Sequence, residues 1–585
     1  MIRRLNNVAM RAVRRVPIRS TVVLALALAA AATTARAAIP LDERNALIAL
    51  YTSTNGDGWN YKAGWCSGTC PSTGAPTFND PGTECNWYGV TCDASQSHVI
   101  GISFGNFGNN LLGSLPSLAP FTALEDFNVA DNQLSGTIPP LSGLSNLATF
   151  SVAGNQFSGS IPDLSGLTKL SIFNVAFNQL TGSIPDLAGL TSLGVFEAGI
   201  NHLTGSIPAL TGLASLSTFD VNTNQLSGSI PSLTGLTALH FFSVIDNLLT
   251  GPIPSLAGLT NLASFEASYN QLSGSIAAPT ASLYYFLVDH NQLGGSIPSL
   301  AGAPNLFDFE VSDNQLSGSI PALSALTTLY AFKAAQSGLT GSIPELSGLT
   351  NLSAFDVDGN ALTGAIPALA GLTSLETFDA SSNQIAGNIP DLANLANLKT
   401  FDVSDNQIGG SIPAFVGLSS LSTFDAARNQ LTGSVPALTG LASLQSIDVS
   451  FNRLTGNVPD LPATLGGFAA AHNRLSGPLP PFTGLTSLSV FDVSFNQLTG
   501  SIPAMDDLSG LFVFLVDWNQ LTGPVPVAPI NVVSGAAYVA LCPNPLDTTP
   551  GDNDAGWNSG TLFTPWWANP HPTNKCDDLL TAPFE

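Results

Sequence analysis

"KTFDVSDNQIGGSIPAF" (residues 399–415) puts Phe401, Val403 and Ile408 at apolar positions and sets Asn406 among them. Asp402 stands between Phe401 and Val403. Apolar and polar residues alternating at period two mark a strand with one buried face. An amide inside such a pattern must find hydrogen-bond partners. The stretch is one copy of many. Taking Asn406 as the anchor, Asn recurs at a spacing of 23 from Asn132 through Asn519. The steps from Asn270 to Asn291 and from Asn452 to Asn473 are 21, and Ser337 takes one slot. With an irregular first copy at Asn109, the chain holds 19 units of the frame LxxLxxFxVxxNxLxGxIP.

One such unit cannot bury its own apolar face, so neighbours must stack into a continuous core. Each copy is expected to give one short strand, and successive strands to pair in parallel. Phe fills the central slot in 17 of the 18 regular copies, with Ile447 the exception. Those rings would form a spine, each burying on the order of 150–250 Å². The Asn side chain offers two donors and an acceptor, so stacked Asn residues can satisfy the backbone where strand becomes turn. The Gly of GxIP permits a tight turn, and the Pro suits an edge with no N–H to give.

This frame resembles the leucine-rich repeat, closest to the plant-type class with its LxGxIP signature, over roughly residues 99–526. "ECNWYGVTC" (84–92) is similar to the N-terminal cap of that class. The resemblance implies an α/β solenoid: a leucine-rich repeat superhelix with a parallel β-sheet on its concave face, mostly β and irregular turns, and an N-terminal helical cap. Receptor-kinase ectodomains and polygalacturonase inhibitors of plants share these features. The helix is expected near residues 41–51, with Ala46, Leu47, Leu50 and Tyr51 on its apolar side. The chain therefore divides into a leader (1–37), an N-terminal cap (38–98), the repeats (99–526) and a C-terminal cap (527–585).

The leader reads as an export signal. Arg3, Arg4, Arg11, Arg14, Arg15 and Arg19 precede a short apolar run, and Ala35-Arg36-Ala37 fits a cleavage site before Ala38. Its alanine-rich character suggests a bacterial source. Removal leaves 9 basic residues against 40 acidic ones, a formal charge of −31. Such a polyanion does not bind nucleic acid by neutralising phosphates, and it attracts cations or basic partners. No later stretch is long enough to insert in a membrane. The destination is secreted, cell-surface or periplasmic. Six cysteines near the ends fit disulfides in an exported chain, expected as Cys66–Cys70, Cys85–Cys92 and Cys542–Cys576. Their spacing does not match a zinc site.

If Phe and Val face inward, the residue between them faces the concave surface. That column includes Glu197, Asp220, Glu266, Glu310, Asp356, Asp379, Asp402, Asp425, Asp448 and Asp492. Five acids run consecutively from Asp356 to Asp448. The fold as read here does not require them, so the column is a candidate partner-binding surface. Beside it, the position before the Asn carries Tyr269, Phe451, Phe495 and Trp518, and exposed aromatics suit protein or sugar binding. The expected function is protein recognition, with a basic partner on the acidic face. The alternatives are a carbohydrate- or surface-binding adhesin, an inhibitor of a wall-degrading enzyme, and an ice- or surface-organising scaffold. No cofactor is expected. "GISFG" (101–105) matches the G-x-S-x-G pattern but falls in the first repeat strand with no helix to follow. Asp552 and Asp554 lack the full ligand set of a calcium loop.

Overall fold

The computed structural model describes residues 38–68, 70, 76–105, 108–534, 538–547, 553 and 556–558. The leader and its cleavage site, Asp552, Asp554 and Cys576 fall outside these residues. Each repeat gives a three-residue strand such as Thr400–Asp402, and 21 strands join in one sheet. From Val99–Ser103 to Tyr538–Ala540 the pairing is parallel, and regular copies align residue for residue at the repeat spacing, as in Phe378↔Phe401↔Phe424. Among the described residues, the only antiparallel pair in this sheet joins Val90–Cys92 of the cap to Val99–Ser103. The N-terminal cap thus shares the sheet of the repeats.

The core lies between this sheet and the returning turns. Phe401, Val403 and Ile408 are fully buried. The Phe spine is present: Phe378, Phe401 and Phe424 stack with centroids 5.4 and 5.6 Å apart and planes within 14°. Offset stacking adds to area burial about 0.5–1.5 kcal/mol per pair. Ile447 interrupts the spine with an aliphatic side chain that is itself buried.

Asn406, part-buried among apolar neighbours, finds its partners in the backbone. Its Nδ2 donates to the carbonyls of Ala380 (2.9 Å), Val403 (3.2 Å) and Ser404 (3.1 Å), and its Oδ1 accepts the N–H of Ile385 (2.8 Å). One side chain thereby closes its own turn and the backbone of the preceding repeat. The two short steps leave this ladder intact, since Asn291 and Asn473 still accept the N–H of Leu272 and Leu454 at 2.9 Å. The missing residues come out of the connecting turns.

The expectation of one strand per copy needs correction. Many copies carry a second strand on the Gln-Leu-x-Gly segment, such as Gln225–Ser229, and ten of these form a further parallel sheet from Leu112 to Leu316. Here residues pair at a spacing of 21, as in Thr204↔Gln225, against 23 in the main sheet. Gly228 (φ +78°) lets the chain leave this strand, a conformation that strains residues with a Cβ. The second sheet stops where Ser337-Gly338 replaces Asn-Gln, and it thins to isolated bridges between residues 388 and 432. The sequence does not announce it, because the only alternating apolar residue in that segment is a single Leu.

The N-terminal helix α1 (Leu41–Ser53) buries Ala46, Leu47, Leu50 and Tyr51. Tyr51 packs on Trp59 and Trp65, and Trp65 on Trp87, closing the open end of the core with rings. Glu43 is also buried. It accepts from His98 Nδ1 and from the N–H of Val99, both at 2.7 Å, tying the helix to the first strand. Disulfides Cys66–Cys70 and Cys85–Cys92 staple this cap. The expected Cys542–Cys576 pairing cannot be followed, because Cys576 lies outside the described residues. At the other end Trp557 is fully buried and donates from its indole to the carbonyl of Pro526.

Candidate functional site

The sheet strands turn their second outward position to the concave surface, and the acids predicted for it stand there. Register places Asp356, Asp379, Asp402, Asp425 and Asp448 side by side across five strands. Ala469 then interrupts the column before Asp492. Toward the N-terminus, Glu197 and Asp220 are neighbours, and Glu266, Leu287, Glu310 and Lys333 follow in order beyond Ser243.

The fold does use this position, contrary to the expectation from sequence. Asp402 Oδ1 accepts the N–H of Ser404 at 2.9 Å and its hydroxyl at 2.7 Å. Asp379, Asp425, Asp448 and Asp492 accept the N–H two residues on in the same way, at 2.8–3.0 Å. Such a bond is the Asx-turn chemistry that starts a turn. Asn128 and Asn174 make the same bond at 3.1 Å with no charge. The bond asks for a side-chain oxygen and not for an anion, and copies with Leu287, Lys333 or Ala469 in the slot keep the sheet without it.

The anion is held at a cost. Burial, with a smaller push from neighbouring carboxylates, brings the carboxyls of Asp220, Asp356 and Asp425 up to about 7. Burial also raises Glu197, Glu266 and Asp379. Desolvation is thus the larger cause along the column, and mutual repulsion the smaller. Side-chain partners offset part of this in several members: Asn174 donates to Glu197, and Asn222 Nδ2 to Asp220 at 2.8 Å. Ser264 donates to Glu266 (2.7 Å), and Lys333 pairs with Glu310.

The aromatic column lies along the rim, on a backbone that the residue types do not suggest. Phe177, Tyr269, His290, Phe451, His472, Phe495 and Trp518 all sit at φ between +53° and +56°. That left-handed region is unusual for bulky residues. The next repeat holds them there: the N–H of Phe451 donates to Ala471 O at 2.8 Å, and that of Asn452 to His472 O at 3.2 Å. The forced direction stacks the rings on each other. Tyr269 lies 4.1 Å from His290. Arg428 covers Phe451, which stacks on His472 (4.3 Å), then Phe495 (4.1 Å), then Trp518 (5.3 Å). Most ring faces are thus occupied, and the edges point outward.

Sequence reasoning also missed a ridge on the opposite flank. Tyr284, Phe307 and Tyr330 stack at 4.8 Å with planes within 6°, and Tyr285 meets the first two edge-on. The signal was available: the same column carries Ala263 before the ridge and Ser353 after it. Ser103 of the "GISFG" match lies in the strand Val99–Ser103 rather than at a strand-to-helix elbow. Among the described residues, no three His, Cys, Asp or Glu side chains group to hold a metal, and no helix is long and apolar enough to cross a membrane.

A regular stack of short parallel strands, an Asn ladder and an open concave sheet define a repeat solenoid with a broad exposed face. The Leucine Rich Repeat family model matches residues 397–418 and 443–465. No curated protein matches the sequence. Among solved structures, the PEPR1–AtPEP1 complex is similar at 26% identity and TM-score 0.71, over 88% of this chain and 81% of that one. The plant peptide hormone receptor RGFR1 with RGF2 is similar at 28% and 0.67, over 79% and 84%. The ectodomain of the Arabidopsis receptor kinase HAESA with an IDA peptide hormone ligand is similar at 28% and 0.57, over 76% and 90%. The chain thus has the fold of a leucine-rich repeat superhelix, and two of its repeats match the family model. These comparisons lend no support to a bacterial source.

Proposed function

We propose that this chain is an exported recognition module that holds a positively charged protein or peptide on its concave sheet. The observation that carries this reading is the charge itself at Asp356, Asp379, Asp402, Asp425 and Asp448. An amide at the same slot makes the same backbone bond, as Asn128 and Asn174 do. Five anions at strand spacing, about 5 Å apart, repel by roughly 0.8 kcal/mol per adjacent pair even at the dielectric of water. A basic partner relieves that repulsion. The similar RGFR1 and HAESA structures are complexes with peptide hormones, which supports a peptide or protein partner. Export is supported by the leader ending near Ala37 and by the disulfides of the cap. The rim rings favour protein over glycan, because a sugar stacks on ring faces and these faces are mostly occupied.

The test replaces the five aspartates by Asn, which keeps each backbone bond. Partner captured from native extracellular material is titrated onto both proteins at low and high salt. Binding to the parent should be strongest at low ionic strength. The variant should fold as well as the parent, bind more weakly, and show a shallower salt dependence. Unchanged binding by the variant would mean the stripe is solvated surface alone.

A further inference from the structure

In the acid column Leu287 and Lys333 flank Glu310, and the ridge of Tyr284, Phe307 and Tyr330 stands beside this stretch. Asp308 lies between them. Its strand neighbours are Tyr285 on one side and Ala331 on the other. Asp308 Oδ1 has no hydrogen-bond donor and no exposed surface, while the residue as a whole is only part-buried. This carboxylate differs from the aspartates of the column, which have their turn N–H bonds. A buried oxygen without a donor is costly when the group ionises. The charged groups facing it are Glu310 and Asp289, which oppose its ionisation, and Lys333, which favours it. Lys333 is engaged with Glu310. Above about pH 7 Asp308 is thus an anion whose compensation is incomplete within the chain.

We propose that Asp308 and the surrounding Tyr284, Tyr285 and Tyr330 form an anchor subsite for an arginine side chain of the protein partner. This deepens the concave-face reading and rests on it. Charge complementarity fixes a cation at Asp308. The rings select arginine over lysine, because a planar guanidinium can lie against a ring while donating to a carboxylate, and a hydrated ammonium does this less well. Tyr284 and Tyr330 are 37% and 43% exposed, and their outer ring faces look toward the small side chains of Ala263 and Ser353. The ends of the ridge therefore keep a free face, unlike the rings inside the rim stack. Aromatic residues flanking one desolvated charge are the usual composition of an interface hot spot.

The probes are fluorescein-labelled tetra-arginine, tetralysine and tetraglutamate peptides, read by anisotropy at low salt. The proteins are the parent, Asp308→Asn, Tyr330→Ala and the variant with five stripe aspartates changed to Asn. Asp308→Asn is isosteric and removes an unsolvated charge, so it should fold at least as well as the parent; circular dichroism checks each protein. The parent should prefer tetra-arginine to tetralysine and ignore tetraglutamate. Asp308→Asn and Tyr330→Ala should each weaken tetra-arginine by roughly tenfold and erase the preference over tetralysine. The stripe variant should weaken both cationic peptides alike. Binding by the parent should also fall as pH drops from about 8 to about 6, because burial holds Asp308 protonated until about 7; Asp308→Asn should lose this component. If Asp308→Asn keeps the arginine preference while the stripe variant loses affinity, the anchor is wrong and the concave-face reading stands. If the parent binds neither cationic peptide, both fall.

Discussion

Five carboxyls, those of Asp220, Asp308, Asp356, Asp425 and Asp517, are pushed up to about 7 by burial, against 3.8 for an ordinary aspartate. Near pH 5.5 the folded chain therefore holds almost all five protons and the unfolded chain almost none. Unfolding there should release about 4–5 protons from these groups. The sign follows directly. The folded state binds more protons, so these groups stabilise it most below pH 3.8, lose that effect as pH rises toward 7, and change little beyond. A tenfold change in proton affinity corresponds to about 1.4 kcal/mol, and since the column is partly open to water we expect on the order of 1 kcal/mol per group. Asp93 and Asp163, held low by hydrogen bonds, act in the opposite sense but below pH 3.8, outside the window. The assay compares urea unfolding at about pH 5.5, 6.5 and 8, with potentiometric titration of the folded and urea-unfolded chain. The parent should be more stable at pH 5.5 than at pH 8, and a variant with all five as Asn should show a flatter profile. Stability that rises from pH 5.5 to pH 8, with no proton release on unfolding, would refute the reasoning.

Two further outcomes concern the scaffold. Phe401→Ala opens a gap in the ring spine and should cost about 3–5 kcal/mol, seen by hydrogen exchange as early opening of the strands at Phe378, Phe401 and Phe424 while the N-terminal cap stays protected. Asn406→Leu leaves the N–H of Ile385 and the carbonyl of Ala380 without their partner, and should destabilise by about 1–3 kcal/mol for each buried orphan; Asn406→Ser should cost less, because Ser337 already serves in an equivalent slot through its hydroxyl bonds to Val311 O and Ala335 O, and equal losses from the two variants would contradict this.

The main sheet, its register and the concave column could be read from the sequence because strand burial obeys a period of two and the copies repeat that period nearly unchanged. Asn406 was legible for a similar reason: a polar residue fixed within an apolar frame has few explanations. The acid of Asp402 was only half legible. Its charge is visible in the sequence, but its bond to the N–H of Ser404 depends on the turn that follows the strand. The left-handed rim could not be read, since Phe451 and Ile200 are residue types that avoid that conformation, and only the hydrogen bonds from the next repeat impose it. Asp308 escaped notice for another reason. It lies on the other side of Phe309, in a column that is otherwise neutral from Thr149 to Val513.

The Asn ladder has a direction. Each Asn completes the repeat before it, so Asn132 serves Leu111, and Asn519 serves Leu498. At the far end Asn544 accepts the N–H of Leu521 (3.0 Å) and donates to Val516 O (2.8 Å), although it stands outside the repeat frame. At the near end Asn109 pairs with the backbone of Tyr61 in the cap. A chain growing on the ribosome thus always carries one unfinished turn at its leading edge, and each newly made repeat finishes the turn of its predecessor. Loss of residues from the two ends is correspondingly unequal. Shortening from the front leaves side-chain amides that water can satisfy, whereas shortening from the back removes the acceptor for a backbone N–H that the fold has already enclosed.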